Sequence, residues 1–246
     1  MNLDRILAVR NDKTVYRDGN LCLQVFNSDF SKADVLNEAL NQARIEETGL
    51  NIPKIHEVTV IEGKWTIVYD YISGKTLAQL MEEHPEKKEE YLELLVNLQL
   101  EMHSKTCPLL NKLKDKMSRK ISQTDLSATV RYDLHTRLEA MPKHVKLCHG
   151  DFSPENIIIN DEGVFIVDWL KAKQGNASAD IAKTYLTFCL NHHTEWAEKY
   201  LKLYCAKTGT AMKYVQEWLP IVAAAQLKFK RPEERSLLGL PHVRPQ

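Results

Sequence analysis

The sequence predicts an α+β chain in which a small β-rich N-terminal lobe with one helix precedes a larger, mainly helical lobe. Three observations lead there. Short apolar runs separated by turn residues fill residues 1–72. Helical periods fill most of the remainder. One apolar hairpin, Ile157 to Asp168, interrupts the helices. The boundary is expected at Ser73-Gly74, giving a smaller lobe over 1–72 and a larger one over 73–246.

Within the first lobe, Ile6 to Arg10, Val15 to Arg17 and Leu21 to Phe26 read as strands, joined by Asn11-Asp12-Lys13-Thr14 and Asp18-Gly19-Asn20. Ser31, with Asp34 three residues on, marks a helix start, and Gly49 its end. Leu36, Ala39, Leu40 and Ala43 form an apolar stripe on that helix. Two further strands follow, His56 to Ile61 and Trp65 to Tyr71, with Glu62-Gly63-Lys64 as the turn. In the second lobe Tyr91, Leu94, Leu95, Leu98 and Met102 keep a helical period. Further helices are expected over Leu110 to Ile121, Leu126 to Ala140, Asp180 to Leu190, His193 to Lys207 and Ala211 to Leu227, the last kinked or broken near Pro220. Arg231 to Gln246, with three prolines, reads as an irregular tail.

Composition narrows the function classes. Lys plus Arg and Asp plus Glu number 33 each in 246 residues, so net charge points to neither nucleic acid nor an anionic membrane. No apolar run approaches the ~20 residues that span a bilayer. The five cysteines are scattered without CxxC spacing; Cys22 and Cys148 fall in apolar runs and read as small core residues. A reducing cytoplasm is the expected compartment, and oligomeric state is left open.

The most informative segment is His149-Gly150-Asp151-Phe152-Ser153-Pro154-Glu155-Asn156, followed twelve positions after Asn156 by Asp168-Trp169. An Asp, four residues, an Asn and a later Asp form the skeleton of a kinase catalytic loop: one base and two oxygen ligands for a phosphate-bound magnesium ion. Taken singly, each of these residues is an ordinary turn former; their conjunction carries the reading. Ile157 to Asn160 and Val164 to Val167 flank Asp161-Glu162-Gly163, which suits a three-residue hairpin loop with Gly163 at the positive-φ position. Pairing Asn160 with Val164 sets Ile157 against Val167 and Asn156 against Asp168, with Cβ atoms roughly 5 Å apart.

The chain resembles the aminoglycoside phosphotransferase and choline kinase family of small-molecule kinases. Cys148 to Asn156, Ile166-Val167-Asp168-Trp169 and Ala179-Asp180-Ile181-Ala182 stand in that family's order, and the resemblance runs from the first strands to about residue 190. It implies a protein kinase-like fold, ATP and Mg2+ as cofactors, and a small hydroxylated acceptor, with no nucleic acid or membrane partner. By that resemblance Asp151 orients and deprotonates the acceptor, Asn156 and Asp168 hold magnesium, and His149 braces the loop. Asp180 either hydrogen-bonds the loop or caps its helix. The carbonyl of Asp70 and the N–H of Ile72 are candidates for adenine.

Two positions depart from the pattern. Lys13 and Thr14 sit in a glycine-free turn where phosphate contact and plain solvation are both open. Gln24 stands where kinases of this fold carry the strand lysine that grips phosphates. Its expected partner Glu38 lies with Val35, Gln42 and Ile45, off the Leu36 stripe. The leading expectation is an ATP-dependent small-molecule kinase. The alternatives are a nucleotide-binding pseudokinase that lost its lysine and, more distantly, a metal-dependent phosphohydrolase. Glu195, Glu198 and Glu217 read as solvated helix faces, and Trp196, Tyr200, Tyr204 and Trp218 as core.

Overall fold

The computed structural model describes residues 1–3, 5–10 and 12–226. Asn11, Leu227 and the expected tail from Arg231 onward lie outside the described residues.

β1 (Arg5–Val9), β2 (Lys13–Asp18) and β3 (Leu21–Phe26) form an antiparallel meander. α1 (Lys32–Glu46) follows, with Ser31 at its N-cap accepting from the Asp34 N–H as the spacing predicts. β4 (Ile55–Ile61) and β5 (Lys64–Asp70) complete a five-stranded sheet of order β1-β2-β3-β5-β4. Alternation along β3 sorts its side chains between two clusters. Phe26 joins Ile67, Tyr69 and the α1 residues Val35 and Ala39, whereas Leu23 and Val25 pack with Val68 on the other face.

The face α1 buries differs from the apolar stripe. Val35, Glu38, Ala39, Gln42 and Ile45 are buried, while Leu36 and Leu40 are 44 % and 49 % exposed. Two leucines of the stripe are therefore at the surface. The reason is that an ion pair and a hydrogen bond from Gln42 to the Pro53 carbonyl (2.7 Å) satisfy the polar members of the inward face.

Downstream come β6 (Lys75–Thr76) and α2 (Leu77–Glu83), both unforeseen, then α3 (Lys88–Ser104), α4 (Leu113–Ser122) and α5 (Ala128–Ala140). β7 (Lys146–Cys148) leads into the His149 loop and a 3-10 turn at Pro154–Asn156. β8 (Ile157–Asn160), β9 (Gly163–Ile166), β10 (Lys173–Gly175) and the helices α6 (Ala177–Leu190), α7 (Thr194–Thr208) and α8 (Met212–Gln226) follow. α8 runs through Pro220 without a break. Tyr200, Tyr204 and Trp218 are core, as their helical spacing predicts, and Trp196 is half-buried.

The chain divides into two packing units, 1–83 with 154–170, and 84–153 with 171–246. This differs from a single boundary at residue 72. β6 pairs with β8, and Asn160 donates to the Ser73 carbonyl (2.8 Å), so the β8–β9 hairpin packs with the N-terminal unit. No helix among the described residues is long and apolar enough to cross a membrane.

Candidate active site

The N-terminal unit holds a cavity of about 310 Å³ lined by Lys13, Gln24, Glu38, Asp70, Ile72, Asn156 and Asp168 among others. Lys13 is the surprise. It is no solvated turn residue: it opens β2 and is 3 % exposed. Its Nζ lies 3.0 Å from Glu38 Oε1 and 2.9 Å from Gln24 Oε1. The β2–β3 register explains this. Lys13 pairs with Phe26 and Val15 with Gln24, so Lys13 and Gln24 are diagonal neighbours on one face, within reach of long side chains. The cation missing from position 24 is supplied from the adjacent strand. Thr14, pairing with Val25, points to the opposite face by strand alternation and is not among the cavity residues.

Glu38 is raised above its ordinary pKa because burial disfavours its charge more strongly than Lys13 favours it. Its Oε2 is buried without a hydrogen-bond partner among the described residues.

The hairpin register is one residue tighter than expected. Asn160 pairs with Gly163 and Ile157 with Ile166, leaving the two-residue loop Asp161-Glu162. The Asn160 side chain accepts from the N–H groups of Glu162 (2.9 Å) and Gly163 (3.1 Å), an Asx turn that closes the loop early. Asn156 therefore faces Val167, whose N–H donates to the Asn156 carbonyl at 2.9 Å, not Asp168. Asn156 and Asp168 nevertheless line the same cavity. Asp168 has φ +62°, a left-handed conformation that costs a non-glycine residue about 1 kcal/mol or more. No hydrogen bond or ion pair ends on its half-buried carboxylate among the described residues. A strained, unpaired carboxylate in a cavity, together with the Asn156 carboxamide, is a hard oxygen donor set that fits Mg2+. The Ile72 N–H likewise has no partner among the described residues, while the Asp70 carboxylate is held by His56 (2.7 Å) and the Lys54 N–H (3.0 Å).

The C-terminal unit gathers Asp151, His149 and Asp180. Asp180 is no N-cap; Asn176 caps α6, and Asp180 sits buried in its first turn. Its Oδ1 accepts from Gly150 N–H (2.7 Å) and its Oδ2 from His149 N–H (3.2 Å), with His103 Nε2 at 3.1 Å. Burial pushes Asp180 up, but the His103 hydrogen bond and charge, with further help from His149 and Gly150, hold it below its ordinary value. Fully buried His149 accepts the Asp151 N–H at Nδ1 (3.2 Å). Gly150 is required: at φ +77° an added Cβ would meet the Lys171 carbonyl oxygen at 2.6 Å. His103, Cys148 and Asp180 place three ligand-type atoms within 4.8 Å, yet Asp180 is already spent on the loop.

Two lysines beside Asp151 had no signal in the sequence. Lys171 Nζ lies 2.5 Å and Lys183 Nζ 3.5 Å from its carboxylate. Burial raises the Asp151 pKa, and the Lys183 and Lys171 charges outweigh it, so the carboxyl is held below its ordinary value. Burial, with repulsion from Lys171, brings Lys183 down to about 8. Lys116 is brought down to about 7 by burial and the nearby ammonium groups of Lys173, Lys120 and Lys171.

Comparisons with known proteins can now be set beside this geometry. The phosphotransferase enzyme family matches residues 7–218. No curated protein matches the chain. Among solved structures, an aminoglycoside-3'-phosphotransferase of type VIII aligns with TM-score 0.67 and 16% identity over 90% of this chain and 93% of its own. Amicoumacin kinase hAmiN, solved with AMP-PNP, Ca2+ and Ami, aligns with TM-score 0.66 and 12% identity over 97% and 86%. A choline/ethanolamine kinase family protein from Mesorhizobium loti gives 0.61 and 19% over 92% and 77%. At these identities the likeness is one of fold, and that fold is the expected kinase-like α+β architecture.

Proposed function

The chain belongs to the phosphotransferase enzyme family, and from that premise we propose that it is an ATP-dependent kinase that phosphorylates a hydroxyl of a small molecule. The observation that carries this reading is the cavity in which the Lys13–Glu38 pair meets Asn156 and the unpaired Asp168 carboxylate. Lys13 grips the nucleotide phosphates in place of Gln24, and Glu38 aims it. Gln24 holds Lys13 through its amide oxygen. The Ile72 N–H and Asp70 carbonyl read the adenine edge. Asn156 and Asp168 hold Mg2+, which neutralises charge on the β- and γ-phosphates when bound.

Asp151 orients the acceptor hydroxyl, while His149 and Asp180 position its loop. The acceptor oxygen forms a bond to the γ-phosphorus as the bond to the β–γ bridging oxygen breaks, and ADP leaves. The acceptor proton passes to the Asp151 carboxylate. A carboxylate held below its ordinary pKa is ionised at neutral pH but a weak base, so Asp151 orients first and accepts the proton late. The pseudokinase alternative rested on the loss of a cation at position 24; the buried ammonium of Lys13 removes that ground. Membership of a phosphotransferase family disfavours the phosphohydrolase alternative.

Calorimetry with Mg-ATP tests the assignment. Asp168→Ala should weaken Mg-ATP binding itself, whereas Asp151→Ala should leave it nearly intact. Equal loss in both variants would overturn the division of roles.

A further inference from the structure

The surroundings of Asp151 carry a charge imbalance that orienting a hydroxyl does not call for. Lys171 and Lys183 both reach its carboxylate, at 2.5 and 3.5 Å. Clustering ammonium groups around one acid raises the free energy of the empty site, and a bound anion would offset that. The acids that a polycationic acceptor would need are engaged or remote from such a role. Glu195 is bound to Lys88 and Lys199 (3.4 Å each), Glu198 accepts from the Tyr185 hydroxyl (2.6 Å), and Glu217 is exposed.

Resting on the kinase reading above, we infer that the acceptor carries an anionic group, a carboxylate or a phosphate, beside the hydroxyl to be phosphorylated, and that Lys171 and Lys183 recognise it. The two lysines that neutralise Asp151 in the free protein turn towards the acceptor's anion and release the carboxylate to the hydroxyl. The nucleotide's own γ-phosphate would offer the same chemistry, so the test separates the two sources.

The full chain, loaded with Mg-AMP-PNP, is titrated by calorimetry with hydroxylated probes of matched skeleton and different charge: gluconate, glucose 6-phosphate, glucose and glucosamine. At least one anionic probe should bind about tenfold or more tighter than glucose, with glucosamine weakest, as charge-assisted contacts require. Lys183→Met should erase that preference, and Lys171→Gln, at a more exposed position, should do the same should the first variant fold poorly. Mg-ATP affinity should be unchanged in both. Equal or tighter binding of glucose or glucosamine, or no detectable binding of either anion at millimolar concentration, would overturn the inference. So would a loss of Mg-ATP but not Mg-ADP affinity in the lysine variants, which would assign the lysines to the γ-phosphate. An unmodified protein that binds no Mg-ATP would overturn the kinase reading itself, and the same instrument reads that outcome separately.

Discussion

Glu38 and Asp151 each meet lysines at the candidate site, and their pKa values move in opposite directions. Glu38 faces one ammonium group, that of Lys13, in a cavity where both side chains are buried; desolvation wins and its pKa rises. Asp151 faces two, is less deeply buried, and its pKa falls. Beside Asp151, Lys183 is driven down to about 8 by burial and by repulsion from Lys171. The contrast shows that the count of cations and the depth of burial, not residue type, decide what an acid–lysine contact does. A single buried pair forms a fixed holder, suited to keeping an ammonium group in place. An excess of partly exposed lysines around one acid forms a site that an incoming anion can rearrange.

The largest expected effect breaks the Asp151 half of the comparison. Asp151→Ala should lower phosphoryl transfer by about 10²–10⁴-fold, the usual contribution of a positioned base, with little change in Mg-ATP affinity. Transfer assays on the acceptor identified by the charge-matched screen would check it.

Lys13→Ala tests the other half. It strands Glu38 as a buried acid without its cation, a change that costs about 3–5 kcal/mol, and should weaken Mg-ATP binding as well. Exchanging the two positions, Lys13→Gln with Gln24→Lys, keeps one cation on the same sheet face within reach of Glu38. It should recover much of the melting temperature and the affinity. Gln24→Lys alone should lower the melting temperature, because it sets a second ammonium where Gln24 now accepts from Lys13 at 2.9 Å. A stable single variant with tighter Mg-ATP binding would show that Lys13 is not the phosphate lysine.

Gly150→Ala should destabilise by about 1–3 kcal/mol through its positive φ, with an added clash against the Lys171 carbonyl. Activity should fall more than Mg-ATP affinity, since the loop holding Asp151 is displaced. Thermal melts and transfer assays on one preparation separate the two.

The smallest effect is a pH slope. Lys116 and Lys183 have folded pKa values of about 7 and about 8, below the ordinary 10.5. Between those values and 10.5 the unfolded chain binds more protons than the folded one, so stability rises with pH across that window. Below about 7 both states are protonated and the penalty is fully present. Lys116→Met should flatten the rise in melting temperature between neutral and alkaline pH; an unchanged slope would mean that Lys116 is not held low.

Much of the architecture was legible in the chain. The strands of the first sheet, the Ser31 cap and the long helices follow from apolar periodicity and local hydrogen-bonding chemistry, which act over a few residues. The motif Asp151, Asn156 and Asp168 stands out in the sequence because its spacing is itself local. The hairpin register slipped by one because a single Asn160 side chain closed the loop, a choice that apolar alternation does not encode. The unforeseen β6 pairs with β8 across more than eighty residues, and no local pattern announces such a partner.

By itself, then, the sequence determined most of the longer helices and strands, where the His149-to-Asn156 loop lies, and that position 24 lacks a lysine. Only the tertiary structure decided which face α1 buries, that Lys13 on β2 sets its ammonium group beside Gln24 and Glu38, and that two lysines meet at Asp151. Periodicity is a property of neighbours along the chain, whereas an ion pair between residues 13 and 38 depends on strand register and helix rotation, set only when the sheet and helix pack.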